Sequence, residues 1–133
     1  MSPKVMLKKK SLQFLISVIM ISCFSTVFSD TIALPDPLEA GWMGKKVCEK
    51  LHEDDKQRVL RCTFPPGVGH ERHYHSPSFG YTLEAGKVRI TDKTGVRELS
   101  LTKGNSRFST GTDWHEIINI GNSTIVYLLI EIK

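Results

Sequence analysis

The stretch "PPGVGHERHYHSPSFGYTLEAGKVRI", residues 65–90, carries three of the chain's five histidines, at positions 70, 73 and 75. It is cut by Gly and Pro, which marks short strands and bends rather than a helix. Side chains alternate across a strand, so His73 and His75, two apart, point to one face. Two imidazoles on one inward face make half a metal site. Each alone is also readable as a hydrogen-bonded core histidine. His70 has the opposite parity and follows "PPGVG", which places it at a bend, beside the ligands but outside their set. A third ligand has to come from a neighbouring strand. His115 in "GTDWHEIINIGN" is the remaining histidine in a β context, because His52 lies in the polar turn "HEDDKQ" and reads as an exposed imidazole.

Around this stretch the chain from residue 46 onward reads as strands separated by Gly, Pro, Asp and Lys turns, without a helical period. Strands are expected at 46–52, 57–64, 72–75, 79–84, 87–92, 96–101, 106–110, 114–120 and 124–132, with "TDKTG" and "NIGNST" as turns. Regular short strands at this spacing indicate an all-β sandwich or barrel. Residues 30–45, with two prolines and mixed polarity, read as an N-terminal arm that lies along the barrel or assists a homodimer, ahead of a domain at 46–133.

Before the arm, Lys4, Lys8, Lys9 and Lys10 precede an apolar run from Leu12 to Phe24 and a small-residue stretch ending at Ser29. Such a run is shorter than the roughly 20 residues a membrane-spanning helix needs, so residues 1–29 read as a secretory signal peptide cleaved before Asp30. Lipoprotein processing at Cys23 is the alternative. The expected location is secreted or periplasmic. Four of the 18 Lys and Arg lie in this leader and none of the 14 Asp and Glu does, so the mature chain has 14 basic and 14 acidic residues. The pI of about 9.0 therefore belongs to the leader, and the expected partners are small molecules, with no nucleic acid and no membrane after signal removal.

Two cysteines remain after cleavage. Cys48 in "KKVCEKL" and Cys62 in "RVLRCTF" flank a turn centred near Asp55, and a hairpin there puts 48 opposite 62. In an oxidising compartment they either pair or stay as buried thiols.

Residues 65–90 followed by "KGNSRFSTGTDWHEIIN" resemble the two motifs of the cupin superfamily. Gly67, His73, His75 and Gly86 fall at the first motif's spacing, and Gly104, His115 and Asn119 at the second's. The first motif's glutamate is replaced by Phe79 or Gly80, and the Pro and Gly of the second by Thr110 and Thr112. The start "FPPG" and the ending "VYLLIEIK" are most similar to small single-domain, RmlC-like cupins of the type associated with β-alanine degradation. The resemblance implies a jelly-roll β-barrel in which His73, His75 and His115 hold one divalent metal, with the carboxylate ligand absent or supplied differently.

Three neutral imidazoles suit Zn, Fe, Ni, Mn or Cu and leave coordination positions open for water or substrate. Tyr81, taken with Phe79 as inward-facing, is the candidate catalytic hydroxyl, with a core tyrosine as its other reading. Asn119 is expected to hydrogen-bond across strands beside the site, and Gly67, Gly86 and Gly104 to occupy turns with positive φ. Glu71 reads as a solvent-facing acid or a replacement carboxylate, and Trp42 and Trp114 as packing residues. Two functions follow: a metal-dependent enzyme acting on a small organic metabolite by oxygenation, isomerisation or decarboxylation, or a non-catalytic cupin binding a small ligand or metal.

Overall fold

The computed structural model describes Met1 and residues 33–133; the proposed leader, its cleavage point and Cys23 lie outside the described residues. Among the described residues eleven strands follow one another: β1 (Gly41–Trp42), β2 (Lys45–Lys46), β3 (Cys48–Glu53), β4 (Gln57–Phe64), β5 (Gly69–His75), β6 (Ser78–Glu84), β7 (Gly86–Asp92), β8 (Gly95–Leu101), β9 (Ser106–Ser109), β10 (Thr112–Asn119) and β11 (Ile125–Ile132). β1 and β2 form a small hairpin turned by Met43 and Gly44, both at positive φ. The others form two antiparallel sheets, ordered β5-β10-β7-β8 and β3-β4-β11-β6-β9. β11 pairs with β4 and β6, and β10 with β5 and β7, so the C-terminal strands insert between earlier ones. This is a jelly-roll sandwich: the strand spacing indicated a sandwich or barrel, and the family resemblance implied the jelly roll.

Alternation along the strands explains which face each turns inward. In β7, Val88 and Ile90 are buried between exposed Lys87 and Arg89. In β11, Ile125, Leu129 and Glu131 are buried. The core gathers Cys48, Cys62, Phe64, Val88, Ile90 and Ile125, with Leu38, Val47, Leu101 and Ile117 packed against it. Segment 33–40 is tied to the barrel: the Tyr74 amide donates to the Pro35 carbonyl, and Ala40 is buried.

Two expectations need correction here. Gly67 and Gly104 do lie at positive φ, but Gly86 does not. Its missing side chain has a packing cause, since a Cβ there would stand 2.3 Å from Ile125 Cγ1. Asn119 is buried, yet it serves the far end of β10. Its side-chain amide donates to the carbonyls of Phe64 and Ser123 at 2.8 Å each, and its oxygen accepts from the Gly121 amide at 2.9 Å. It is paired with Val88, whereas His115 is paired with Asp92. At about 3.4 Å per residue, four residues put Asn119 roughly 14 Å along the strand from the proposed ligand. It pins the turn to β4 and does not support the site.

The β3–β4 hairpin places Cys48 opposite Cys62, and the two are joined in a disulfide. A cross-link closing a loop of about 15 residues contributes roughly 3 kcal/mol in the chain-entropy account. Replacing both cysteines with serine should lower stability by about that amount in a urea titration of unreduced protein. An unchanged midpoint, with two free thiols counted in the parent chain, would contradict the bridge.

Candidate metal centre

The pairing of β5 with β10 contains two irregularities. Between Thr112 and His115 β10 carries an extra residue, and between His73 and His70 β5 does. A bulge reverses side-chain parity beyond it. His70 therefore sits in the strand rather than at a bend and turns inward with His73 and His75, correcting the parity expected from sequence. Glu71 and Arg72 take up the bulge and face out. The Glu71 carboxylate accepts from the Met43 amide at 2.9 Å, and the Arg72 guanidinium lies 3.8 Å over the Trp114 ring. Trp42 packs against Gly69, where a Cβ would stand 2.7 Å from its ring. Exposed His52 meets Asp54 at 3.2 Å, far from this cluster in the fold.

His73, His75 and His115 bring their Nε2 atoms into a triangle with edges of 2.9, 3.1 and 3.0 Å. Two of the three tautomers follow from the partners of Nδ1. The carbonyl of Glu71, 2.6 Å from His73 Nδ1, can only accept, so this nitrogen carries the proton. Glu131 Oε1, 3.0 Å from His75 Nδ1, holds the second ring in the same way. With Nδ1 of both rings engaged, His73 and His75 turn their Nε2 atoms toward each other at 2.9 Å. Three nitrogens within 3.1 Å of one another are all within reach of one ion at metal–nitrogen distances of about 2.0 to 2.1 Å. These three residues can hold a metal ion.

Burial reinforces this state. Desolvation first, and the neighbouring imidazoles second, push the His73 pKa down to about 2 and that of His115 to about 3. His70, 2% exposed, is lowered to about 4 by the same causes, and its ring stacks on that of His73 with centroids 3.8 Å apart. Among the described residues its Nε2 has no hydrogen-bond partner. His70 thus backs the triad without joining it.

Glu131 escaped the sequence reading. This carboxylate is 1% exposed, and besides His75 it accepts from Arg58 Nε at 2.5 Å. Arg58 also donates to Asp36 Oδ2 at 2.8 Å. Burial would raise the Asp36 pKa, but the hydrogen bonds from Arg58 and from the Glu39 and Leu38 amides outweigh it and lower the pKa. The result is a chain from segment 33–40 through Arg58 and Glu131 to His75. The signal was present in "VYLLIEIK": an acid in an otherwise apolar run, sharing parity with Ile125, Tyr127 and Leu129.

The triad opens on a cavity of about 490 Å³, within the usual range for small-ligand sites. Phe64, Ile90, Leu129 and Tyr127 are among its walls. Tyr81 is not, which overturns its candidacy as the catalytic hydroxyl. On β6 the inward residues are Ser78, Gly80 and Thr82, so Phe79 and Tyr81 face outward, 39% and 36% exposed. Gly80 is inward because Tyr127, from β11, fills the space where its side chain would go: a Cβ would stand 2.0 Å from the Tyr127 hydroxyl. Tyr127 is the tyrosine that reaches the cavity, and burial raises its pKa against the opposing charge of Arg107.

A cupin domain from Bordetella pertussis shares this architecture at 25% identity, with a TM-score of 0.61 over 65% of this chain and 92% of that one. The chain belongs to the cupin superfamily. An RmlC-like cupin with a double-stranded β-helix fold from Methanocaldococcus jannaschii superposes with a TM-score of 0.55 at 18% identity, over 65% of this chain and 78% of that one. The polyketide cyclase RemF from Streptomyces resistomycificus does so with a TM-score of 0.52 at 17% identity, over 64% and 63%. Neither a protein-family model nor a curated protein sequence matches the chain.

Partners that orient a metal-bound histidine typically change affinity by about 10- to 100-fold when lost. Glu131→Gln should therefore weaken metal binding by roughly that factor in a competition titration with a chromophoric chelator, while His75→Ala should abolish it. His70→Ala should destabilise the fold yet retain binding. Metal affinity that falls as far in His70→Ala as in His75→Ala would mean that the ligand set is wrong.

Proposed function

We propose that this cupin is an exported, metal-dependent enzyme acting on a small organic metabolite, with one divalent transition metal held by His73, His75 and His115. The observation that carries the reading is the mutual approach of three Nε2 atoms to within 3.1 Å at the wall of a ligand-sized cavity. A metal held there supplies Lewis acidity, and Fe, Mn, Ni or Cu would add redox chemistry toward oxygen. The chain's own residues do the rest. Glu131 and the Glu71 carbonyl fix two of the rings, so the ligand nitrogens require no reorganisation. Phe64, Ile90, Leu129 and Ile117 line the cavity with apolar surface and exclude water from the reacting atoms. The Tyr127 hydroxyl, kept protonated by burial, is a hydrogen-bond donor inside that cavity.

The Cys48–Cys62 bridge supports export, because such cross-links persist in oxidising compartments. A homodimer is supported by the outer face of the larger sheet, where Val59, Ile130, Phe79 and Phe108 lie side by side through their strand pairing. Phe108 is 58% exposed there. Sedimentation velocity of the secreted chain should show a dimer that Phe108→Asp dissociates, and its mass should correspond to a start at Asp30. A monomer, or retained residues 1–29, would remove these two parts of the proposal.

Metal at about 100 times its dissociation constant stabilises a fold by roughly 2.7 kcal/mol, and a domain of this size shifts by about 4 to 8 °C per kcal/mol. The preferred divalent ion should therefore raise Tm by roughly 10 to 20 °C. Screening the metal-loaded chain against small metabolites should then reveal turnover that His115→Ala lacks. Metal binding without turnover would favour the non-catalytic reading, and no Tm shift with any ion would exclude the metal.

A further inference from the structure

The cavity carries charged residues beyond the histidines. Its charged lining residues are Asp92, Arg97 and Arg107. Strand register turns both arginines inward. Arg97 on β8 is paired with buried Ile90, and Arg107 on β9 with buried Gly80; directly paired residues share a face. Arg97 is already answered, because its guanidinium donates to Asp92 Oδ2 at 2.6 Å. Among the described residues no carboxylate lies within ion-pair distance of Arg107. The cavity therefore has at its margin a solvent-exposed guanidinium without a carboxylate partner among the described residues, beside apolar and hydroxyl-bearing lining.

A second group stands beside it. Gly80, the cross-strand partner of Arg107, has no side chain, and the Tyr127 hydroxyl occupies its place. Arg107 is close enough to Tyr127 for its charge to act on the phenol. The Tyr127 hydroxyl borders the cavity at this point. β8 and β9 are both edge strands, one on each sheet, so this part of the wall lies at the open margin of the sandwich. Leu99, on the inner face of β8, remains 36% exposed there.

We propose that Arg107 and the Tyr127 hydroxyl, meeting over Gly80, form an anion subsite that takes the carboxylate of a small organic monocarboxylate ligand. The guanidinium fork matches two carboxylate oxygens, and the phenol adds a third donor. The apolar walls of Leu99, Leu129 and Phe64 suit the hydrocarbon remainder of such a ligand. The inference rests on the metal-centre reading only in making this molecule a substrate; binding of the anion itself needs Arg107 and Tyr127 alone.

Calorimetric titration of the full chain with hexanoate, hexanamide and inorganic phosphate, with and without loaded metal, separates the two. Hexanoate should bind both forms, with hexanamide and phosphate each at least about tenfold weaker, which is about 1.4 kcal/mol. Arg107→Gln should lose at least about tenfold in hexanoate affinity, Arg107→Lys should recover part of it, and Tyr127→Phe should lose several-fold. The metal-induced Tm rise should be the same in Arg107→Gln as in the parent, which also shows that the variant folds. Equal binding of hexanoate and hexanamide, tighter binding of phosphate, or full affinity in Arg107→Gln would each overturn the subsite. Hexanoate binding that depends on Arg107 in a chain that takes up no metal would leave the subsite standing and remove the metal.

Discussion

Three imidazole nitrogens held within 3.1 Å of one another in a desolvated interior set the terms for the rest of this structure. Burial keeps His73 and His115 neutral, and a neutral imidazole carries a ring-nitrogen lone pair that a cation can take up. The surrounding chain is organised to keep this arrangement from relaxing. Bulges in β5 and β10 re-aim the strands so that His73 and His115 come opposite each other. Glu131 prevents the His75 ring from turning, and Arg58 in turn satisfies Glu131. A buried carboxylate missing its partner is strongly destabilising, so Asp36, Arg58, Glu131 and His75 act as one unit.

Space given to a ligand is space withheld from the core. A domain of about 100 residues has little apolar burial to spare, and here a cavity of about 490 Å³ lies between its sheets. The disulfide sits where this matters. Cys62 is both a core residue and a cavity wall, and Cys48 Sγ approaches His70 Nδ1 at 3.9 Å. Cross-linking the β3–β4 hairpin offsets the stability lost to the hollow interior and keeps the surface behind His70 in place. His70, stacked on His73, transmits that rigidity to the triad.

What was legible in the sequence depended on period and spacing. The nine strands of the two sheets fell close to their expected places because Gly, Pro and Asp turns cut an otherwise alternating pattern. The H-x-H pair and the opposed cysteines were legible for the same reason, since both follow from regular strand geometry. Irregular geometry was not. A bulge adds one residue without a sequence mark, so His70 was assigned to the wrong face. Tyr81 was turned inward by its shared parity with Phe79, but the interior positions went to Ser78, Gly80 and Thr82, with Gly80 leaving room for Tyr127 from a strand distant in sequence. Glu131 was hidden by its apolar neighbours, although its parity with Tyr127 and Leu129 was readable. Asn119 matched a motif position, and only the fold reveals that it braces a turn.

X-ray absorption at the metal edge of the loaded full chain tests the central claim most directly, because it counts the atoms around the ion. The account predicts three imidazole nitrogens at about 2.0 to 2.1 Å, with the remaining positions filled by oxygen from water or ligand and no sulfur. The imidazole count should fall to two in His115→Ala. Fewer than three imidazoles in the parent chain, or a sulfur ligand, would contradict it.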